Sequence, residues 1–263
     1  MIEAIKVPTM AEYLAEGKKP EVLFWVGCAG SFDDRAKKIT KAFVQILNKT
    51  NVDFAVLGTE ESCTGDPAKR AGNEFLFQMQ AKMNIEVLNG YEIKKIVTAC
   101  PHCFNTIKNE YPELGGSYEV LHHTQFLKSL LEEGHLKIEG GKFKGKRITF
   151  HDPCYLGRAN GEYEAPRELL EKLEVELIEM KRCKTRGLCC GAGGAQMFKE
   201  PEPGNKDINI ERTEEALETA PSIIAAACPF CNTMMTDGVK GKDKENDIAV
   251  MDVAEMIANA ADL

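Results

Sequence analysis

No stretch of this sequence is both long and apolar. The longest apolar run, Ile223 to Cys228, is far shorter than the roughly 20 residues a helix needs to span a bilayer. The opening Met1-Ile2-Glu3-Ala4-Ile5-Lys6 lacks the apolar centre of a secretory leader. A soluble, cytoplasmic protein with no membrane span of its own is therefore expected. Basic residues do not predominate either. Against 41 Asp and Glu stand 33 Lys and Arg, a net charge of −8. That argues against a nucleic-acid partner, because phosphate binding needs a basic face. There is no P-loop, no G-x-G-x-x-G following a strand, and no C-x2-C-x2-C-x3-C ferredoxin run, so the usual nucleotide and ferredoxin signatures are missing.

Cysteine is what the chain does have: ten in 263 residues. In a chain with no secretory leader these are expected to be metal ligands or catalytic thiols rather than disulfides. The centre of the pattern is Leu188-Cys189-Cys190-Gly191-Ala192-Gly193-Gly194. Neighbouring side chains in an extended segment point to opposite faces, so both thiols reach one centre only if the backbone bends, and glycine permits the bend. Cys154 lies 35 positions before Cys189, and Cys228-Pro229-Phe230-Cys231 begins 38 after Cys190. Thiolate-rich sets of this kind select soft metals or iron–sulfur clusters.

The set is duplicated. Cys28 and Cys154 are 126 apart, Cys63 and Cys190 are 127 apart, and Cys100-Pro101-His102-Cys103 precedes its counterpart at 228–231 by 128. On this alignment Ser62-Cys63 stands opposite Cys189-Cys190, His102 opposite Phe230, Trp25-Val26-Gly27 opposite His151-Asp152-Pro153, and His122-His123 opposite Met251-Asp252. Strand and helix periodicities follow the same order in both halves. Buried strands are expected over 21–28, 52–57 and 95–99, then over 147–154, 175–180 and 222–227. Helices are expected over 35–48, around Phe75, Met79 and Met83, over 105–111, and over 124–133 with Thr124 as cap. The second half has them over 165–173, 210–219, 232–237 and 253–260. Pro8 to Gly17 reads as a short helix or arm. Alternating strand and helix implies an α/β fold with mostly parallel sheets flanked by helices and functional groups at the strand C-terminal ends. The expected layout is an N-terminal arm over 1–20, a first domain over 21–138 and a second over 146–263.

The pattern C-x34-C-C-x37-C-x2-C resembles the cysteine-rich CCG domain, which occurs twice in heterodisulfide reductase B subunits and related iron–sulfur oxidoreductases. The likeness runs over residues 21–263. Phe-Trp-Val-Gly-Cys (24–28), Ser-Cys-Thr-Gly-Asp-Pro (62–67) and His-Asp-Pro-Cys-Tyr-Leu-Gly-Arg (151–158) are more similar to one branch. That branch is the C-terminal part of membrane-linked iron–sulfur proteins that pass electrons between electron-transfer flavoprotein and quinone. The resemblance implies a noncubane [4Fe-4S] cluster on Cys154, Cys189, Cys190, Cys228 and Cys231. The first set departs from the pattern. With Ser62 at the expected cysteine it retains Cys28, Cys63, Cys100 and Cys103, for a second [4Fe-4S] cluster of ordinary type, for one with Ser62 oxygen as ligand, or for none.

The implied role is electron relay between a flavoprotein or ferredoxin-like partner and a membrane-anchored, quinone-linked partner, which would hold the chain peripherally at the inner membrane. Ferredoxin clusters and membrane helices, where relatives fuse them on, are expected here from another chain. Two alternatives are a heterodisulfide reductase-like protein that reduces a disulfide or small substrate at the second site, and a zinc-stabilised interaction module. Cys183 has no repeat mate and reads as a spare thiol. His102, His122 and His123 read as structural. His151-Asp152 are candidates for tuning the cluster or moving protons. Lys181, Arg182, Lys184 and Arg186 form a basic run that is a solvated face or a docking surface for an acidic flavoprotein.

Overall fold

The computed structural model describes residues 5–200 and 203–263; the first four residues of the expected arm lie outside them. After a short helix α1 (Met10–Ala15), the first half runs β1 (Val22–Trp25), α2 (Gly27–Phe32), α3 (Ala36–Lys49), β2 (Phe54–Ala55), α4 (Asp66–Arg70), α5 (Glu74–Gly90), β3 (Lys95–Thr98), α6 (Pro101–Asn105), β4 (Glu119–His122) and α7 (His123–Glu132). The second half repeats the scheme with β5 (Arg147–Phe150), α8 (Glu164–Lys172), β6 (Glu176–Leu177), α9 (Ile208–Leu217), β7 (Ile223–Ala226), α10 (Pro229–Lys240), β8 (Ala249–Asp252) and α11 (Val253–Ala260). Each half builds a four-stranded parallel sheet, in the orders β2-β1-β3-β4 and β6-β5-β7-β8. Central strands such as Val22-Leu23-Phe24-Trp25 and Ile223-Ile224-Ala225-Ala226 are buried at every position, as helix cover on both faces requires.

The edge strands β4 and β8 are not among the expected elements. Glu119-Val120-Leu121-His122 and Ala249-Val250-Met251-Asp252 are part polar and only four residues long. Their pairing to β3 and β7 comes from the sheet, not from a periodic signal. They also correct the repeat. Thr98 pairs with His122 and Ala226 with Asp252, so His122 stands opposite Asp252, one position away from the sequence alignment. Both residues cap the helix that follows through a capping box. Helix α7 thus starts at His123, and His122 rather than Thr124 is its cap. The helix around Phe75, Met79 and Met83 is present as α5, but those three side chains are exposed; Phe77, Ala81, Asn84, Ile85 and Leu88 are the ones that pack inward.

The halves pack as a pseudo-twofold pair. Helix α3 lies against α11, and α7 lies against α8, two versions of one contact. One hydrophobic cluster runs unbroken from Met10 through Phe24, Phe126 and Phe150 to Ala258. Arg35 joins it across the seam with a bidentate pair to Glu255 at 2.7 and 2.8 Å.

Candidate metal centre

The cysteine sets gather where central strands stop. After β1, Gly27 takes a left-handed conformation (φ +77°) and brings Cys28 into α2. A Cβ on Gly27 would sit 3.3 Å from Cys103 Sγ, so the glycine lets the backbone approach that sulfur. The partly buried carboxylate of Glu61 caps this turn, accepting from Val26 N at 2.9 Å and Gly27 N at 2.6 Å; desolvation pushes it up to about 7 despite those bonds. After β3 and β7, Cys100 and Cys228 are the N-caps of α6 and α10, with Pro101 and Pro229 at the first helical position. Proline there sacrifices no hydrogen bond, and Cys103 and Cys231 follow one turn on.

The nine expected thiols converge. Cys28 neighbours Cys63, and Cys100 neighbours Cys103 one helical turn on. In the second set Cys154 reaches Cys189, Cys189 reaches Cys190, and Cys228 reaches Cys231. The sulfurs of Cys190 and Cys231 are 3.3 Å apart. The two sets also meet each other: the rings of His102 and Phe230, which lie inside the two Cys-Pro-x-Cys turns, stack edge-on at 5.3 Å. The two Cys-Pro-x-Cys turns therefore face one another across the pseudo-twofold seam.

This geometry corrects the alignment at the double cysteine. Cys63 and Cys189 both accept from the amide of a glycine two residues on, Gly65 at 3.5 Å and Gly191 at 3.3 Å. Both glycines have positive φ, +88° and +94°. Cys63 pairs with Cys28 as Cys189 pairs with Cys154. Thr64 approaches Cys103 Sγ to 4.0 Å, as Cys190 approaches Cys231. Cys63-Thr64-Gly65 thus stands opposite Cys189-Cys190-Gly191, with the same offset of 126 as the first cysteine. The thiol missing from the first set is missing at Thr64, not at Ser62. Ser62 is turned away and donates to Asn84 Oδ1 at 2.8 Å.

Crowding makes these thiols interdependent. The bond from Cys28 holds Cys63 down to about 7, while Cys28 itself is pushed up. Hydrogen bonds from Cys154 and Cys190 hold Cys189 far below the thiol range, and Cys190 rises to about 12 beside it. Adjacent thiolates cannot all ionise without a compensating positive centre, and metal binding would displace the remaining protons. Two buried polar groups beside the second set point the same way. His151 Nε2 and both amide atoms of Asn232, which follows Cys231, have no hydrogen-bond partner, and one ring nitrogen of His151 lies with Cys190 and Cys231 sulfurs inside 4.8 Å. The donor set fits a thiolate-bound iron–sulfur group.

The other candidates are placed as follows. Asp152 does not face the thiols; Arg167 holds it by two bonds at 2.8 and 3.0 Å. His102 hydrogen-bonds Asp66 at 2.9 Å and stacks on Tyr155 at 4.4 Å. His123 crosses the seam to Asp252 at 2.9 Å and also contacts His122. Cys183 stands apart from both sets, near Glu179 and Asp152. Within the basic run, Arg182 is paired with Glu211 and Glu215 and Lys184 with Glu164. Arg212 and Asn232 carried no sequence signal. Arg212 is a fully buried arginine on α9, and its role depends on a contact 61 residues away.

The profile of the CCG cysteine-rich domain matches residues 22–108 and 148–236. A probable iron-sulfur-binding oxidoreductase, FadF, of Bacillus subtilis (strain 168) is 47% identical over 256 residues, covering 97% of this chain and 36% of that protein. The EtfAB:quinone oxidoreductase of Syntrophomonas wolfei subsp. wolfei is 46% identical over 93% of this chain and 35% of its own length. A dihydromethanophenazine:CoB–CoM heterodisulfide reductase polypeptide of Methanosarcina barkeri is 36% identical over 93% of this chain and 60% of its own length. The chain thus spans between about a third and three fifths of the length of these relatives. No helix among the described residues is long and apolar enough to cross a membrane.

Proposed function

The chain belongs to the CCG cysteine-rich domain family, and from that premise we propose that it is an iron–sulfur electron-transfer unit. It relays electrons between a flavoprotein or ferredoxin-like partner and a membrane quinone-linked partner. The observation that carries this reading is the meeting of the two Cys-Pro-x-Cys turns at one seam, where the rings of His102 and Phe230 stack edge-on at 5.3 Å. Sites so close exchange electrons without a mobile carrier.

Cys154, Cys189, Cys190, Cys228 and Cys231 would hold one cluster, of the noncubane type, and Cys28, Cys63, Cys100 and Cys103 an ordinary [4Fe-4S] cluster. When bound, these groups supply the one-electron redox chemistry. The chain's own part is positioning and tuning. Gly65 and Gly191 amides donate to sulfur, and the first turn of α10 aims its free N–H groups at the same region. Phe24, Phe104 and Leu156 belong to the same buried cluster as Cys100 and Cys103. Bonds to sulfur, burial and charge set the reduction potential.

Anaerobic purification with iron and sulfide analysis and EPR tests the reading. About eight irons per chain are expected for two four-iron clusters, reducible by a flavoprotein donor. About four irons would remove the relay pair, and a colourless zinc protein would remove the redox role altogether. One observation favours a catalytic second reading: Cys154 and Cys189 are only half-buried, and an open cavity of about 650 Å³ lies beside Gly191, Met197 and Met234. Reoxidation of the reduced protein by a disulfide would favour that alternative over relay.

A further inference from the structure

At the second site one ring nitrogen remains unexplained. His151 is completely buried. Its Nδ1 lies 3.0 Å from Nε of Arg212, and its Nε2 has no partner. A guanidinium N–H can only donate and does not lose its proton in proteins. Nδ1 must therefore accept, and the neutral ring carries its proton on Nε2. Arg212 is itself fixed, since its Nη1 donates to Arg182 O at 2.8 Å and to Glu215 Oε2 at 3.0 Å. Ligation through Nε2 would require a proton on Nδ1, which would set two donors against each other across the Arg212 contact. Yet a ring nitrogen of His151 and the sulfurs of Cys190 and Cys231 lie within 4.8 Å of one another.

We propose that His151 is a hydrogen-bond donor to the sulfur group of the second site, locked by Arg212 in its Nε2–H tautomer, and is not a ligand of that site. The first half carries a parallel. With the offset of 126 that relates the first cysteines, His151 stands opposite Trp25. Trp25 is also fully buried, and its indole Nε1 also lacks a partner. An indole N–H donates and nothing more. The chemistry common to both halves, three residues before the first cysteine, is a buried ring N–H. His151 thus acts as a positioning and tuning residue, because an N–H bond to sulfur favours the more negative, reduced state.

The proposal rests on an iron–sulfur group at the second site, so the test has one arm that needs iron and one that does not. In protein labelled with ¹⁵N-histidine and freed of iron, a long-range proton–nitrogen correlation spectrum should show the Nε2–H tautomer for the signal that disappears in His151→Gln. An Nδ1–H pattern overturns the proposal, whether or not the wild type binds iron; a wild type without iron overturns only the proposed function. In the iron-loaded protein, pulsed EPR in deuterated water should show an exchangeable deuteron coupled to the cluster and no directly coordinated nitrogen. His151→Leu should keep its iron, lose that coupling and shift the reduction potential to more negative values. His151→Gln, whose amide can accept from Arg212 and donate to sulfur, should restore most of both. A coordinated-nitrogen signal in the wild type, loss of iron from both variants, or an unchanged potential in His151→Leu overturns it. If the leucine variant fails to fold, the wild-type spectrum and the glutamine variant decide.

Discussion

Thr64 occupies the place that Cys190 holds in the other half, buried and directed at the second cysteine of a Cys-Pro-x-Cys turn. Threonine and cysteine side chains fill similar volumes, so the surroundings leave room for a sulfur. Thr64→Cys, made in a chain whose second set is disabled by Cys190→Ser and Cys231→Ser, is expected to give the first site the EPR signature of a five-thiol set. A spectrum unchanged from the parent would refute the correspondence. Arg167 illustrates a different residue-scale role. It is buried against Asp152 and Glu179 and keeps the loop before Cys154 in place. Removing one partner of such a pair strands the other, at a cost of about 3–5 kcal/mol, so Arg167→Ala should show a matching fall in urea-unfolding free energy. The thiols themselves were legible in the sequence because their spacing survives without any knowledge of the turns. The identity of the altered position was not. Ser62 and Thr64 flank Cys63 symmetrically in the sequence, and they are distinguished by contacts in the fold: the Gly65 amide bond to Cys63, the approach of Thr64 to Cys103 and the turn of Ser62 toward Asn84.

Helices and strands were legible where burial imposes a period. Helix α3 packs the stripe Ile39, Ala42, Phe43, Ile46 and Leu47 inward, as its spacing requires. Strands β4 and β8 were not, because an edge strand of four residues has one covered face and little pattern of its own. On α5 the conspicuous apolar residues Phe75, Met79 and Met83 face outward while Asn84 is buried, hydrogen-bonded to Cys63 O at 3.0 Å and to Tyr111; hydrophobicity alone pointed to the wrong face. The end of β4 also gives the fold a pH dependence. Burial, with His123 beside it, holds the His122 ring well below the ordinary histidine range. Below a pH of about 6.5 the unfolded chain takes up a proton there and the folded chain does not. Stability should therefore fall as pH drops through that value, by at most about 1.4 kcal/mol per pH unit from this residue. His122→Asn, which can still cap α7, should flatten the slope in urea titrations between about pH 7 and pH 5; an identical slope would show that the histidine does not matter.

At the scale of the whole molecule the two repeats share one interior. The core cluster crosses the seam, and the α3–α11 and α7–α8 contacts tie each half to the other. His123 and Asp252, with no exposure at all, close the middle. Calorimetry should show one cooperative transition rather than two, and residues 21–138 or 146–263 expressed alone should neither unfold cooperatively nor hold iron at the level of the full chain. A separable, iron-loaded half would contradict this. The pseudo-twofold arrangement has one more consequence. If the two halves were separate copies of a single polypeptide, each would carry the same residues, and a homodimer could only present two identical centres. Joining them in one chain frees each copy to change alone, so that Thr64 can differ from Cys190 and Trp25 from His151. Under the proposed relay, two sites of unlike potential would set a downhill order between them, which two identical ones could not.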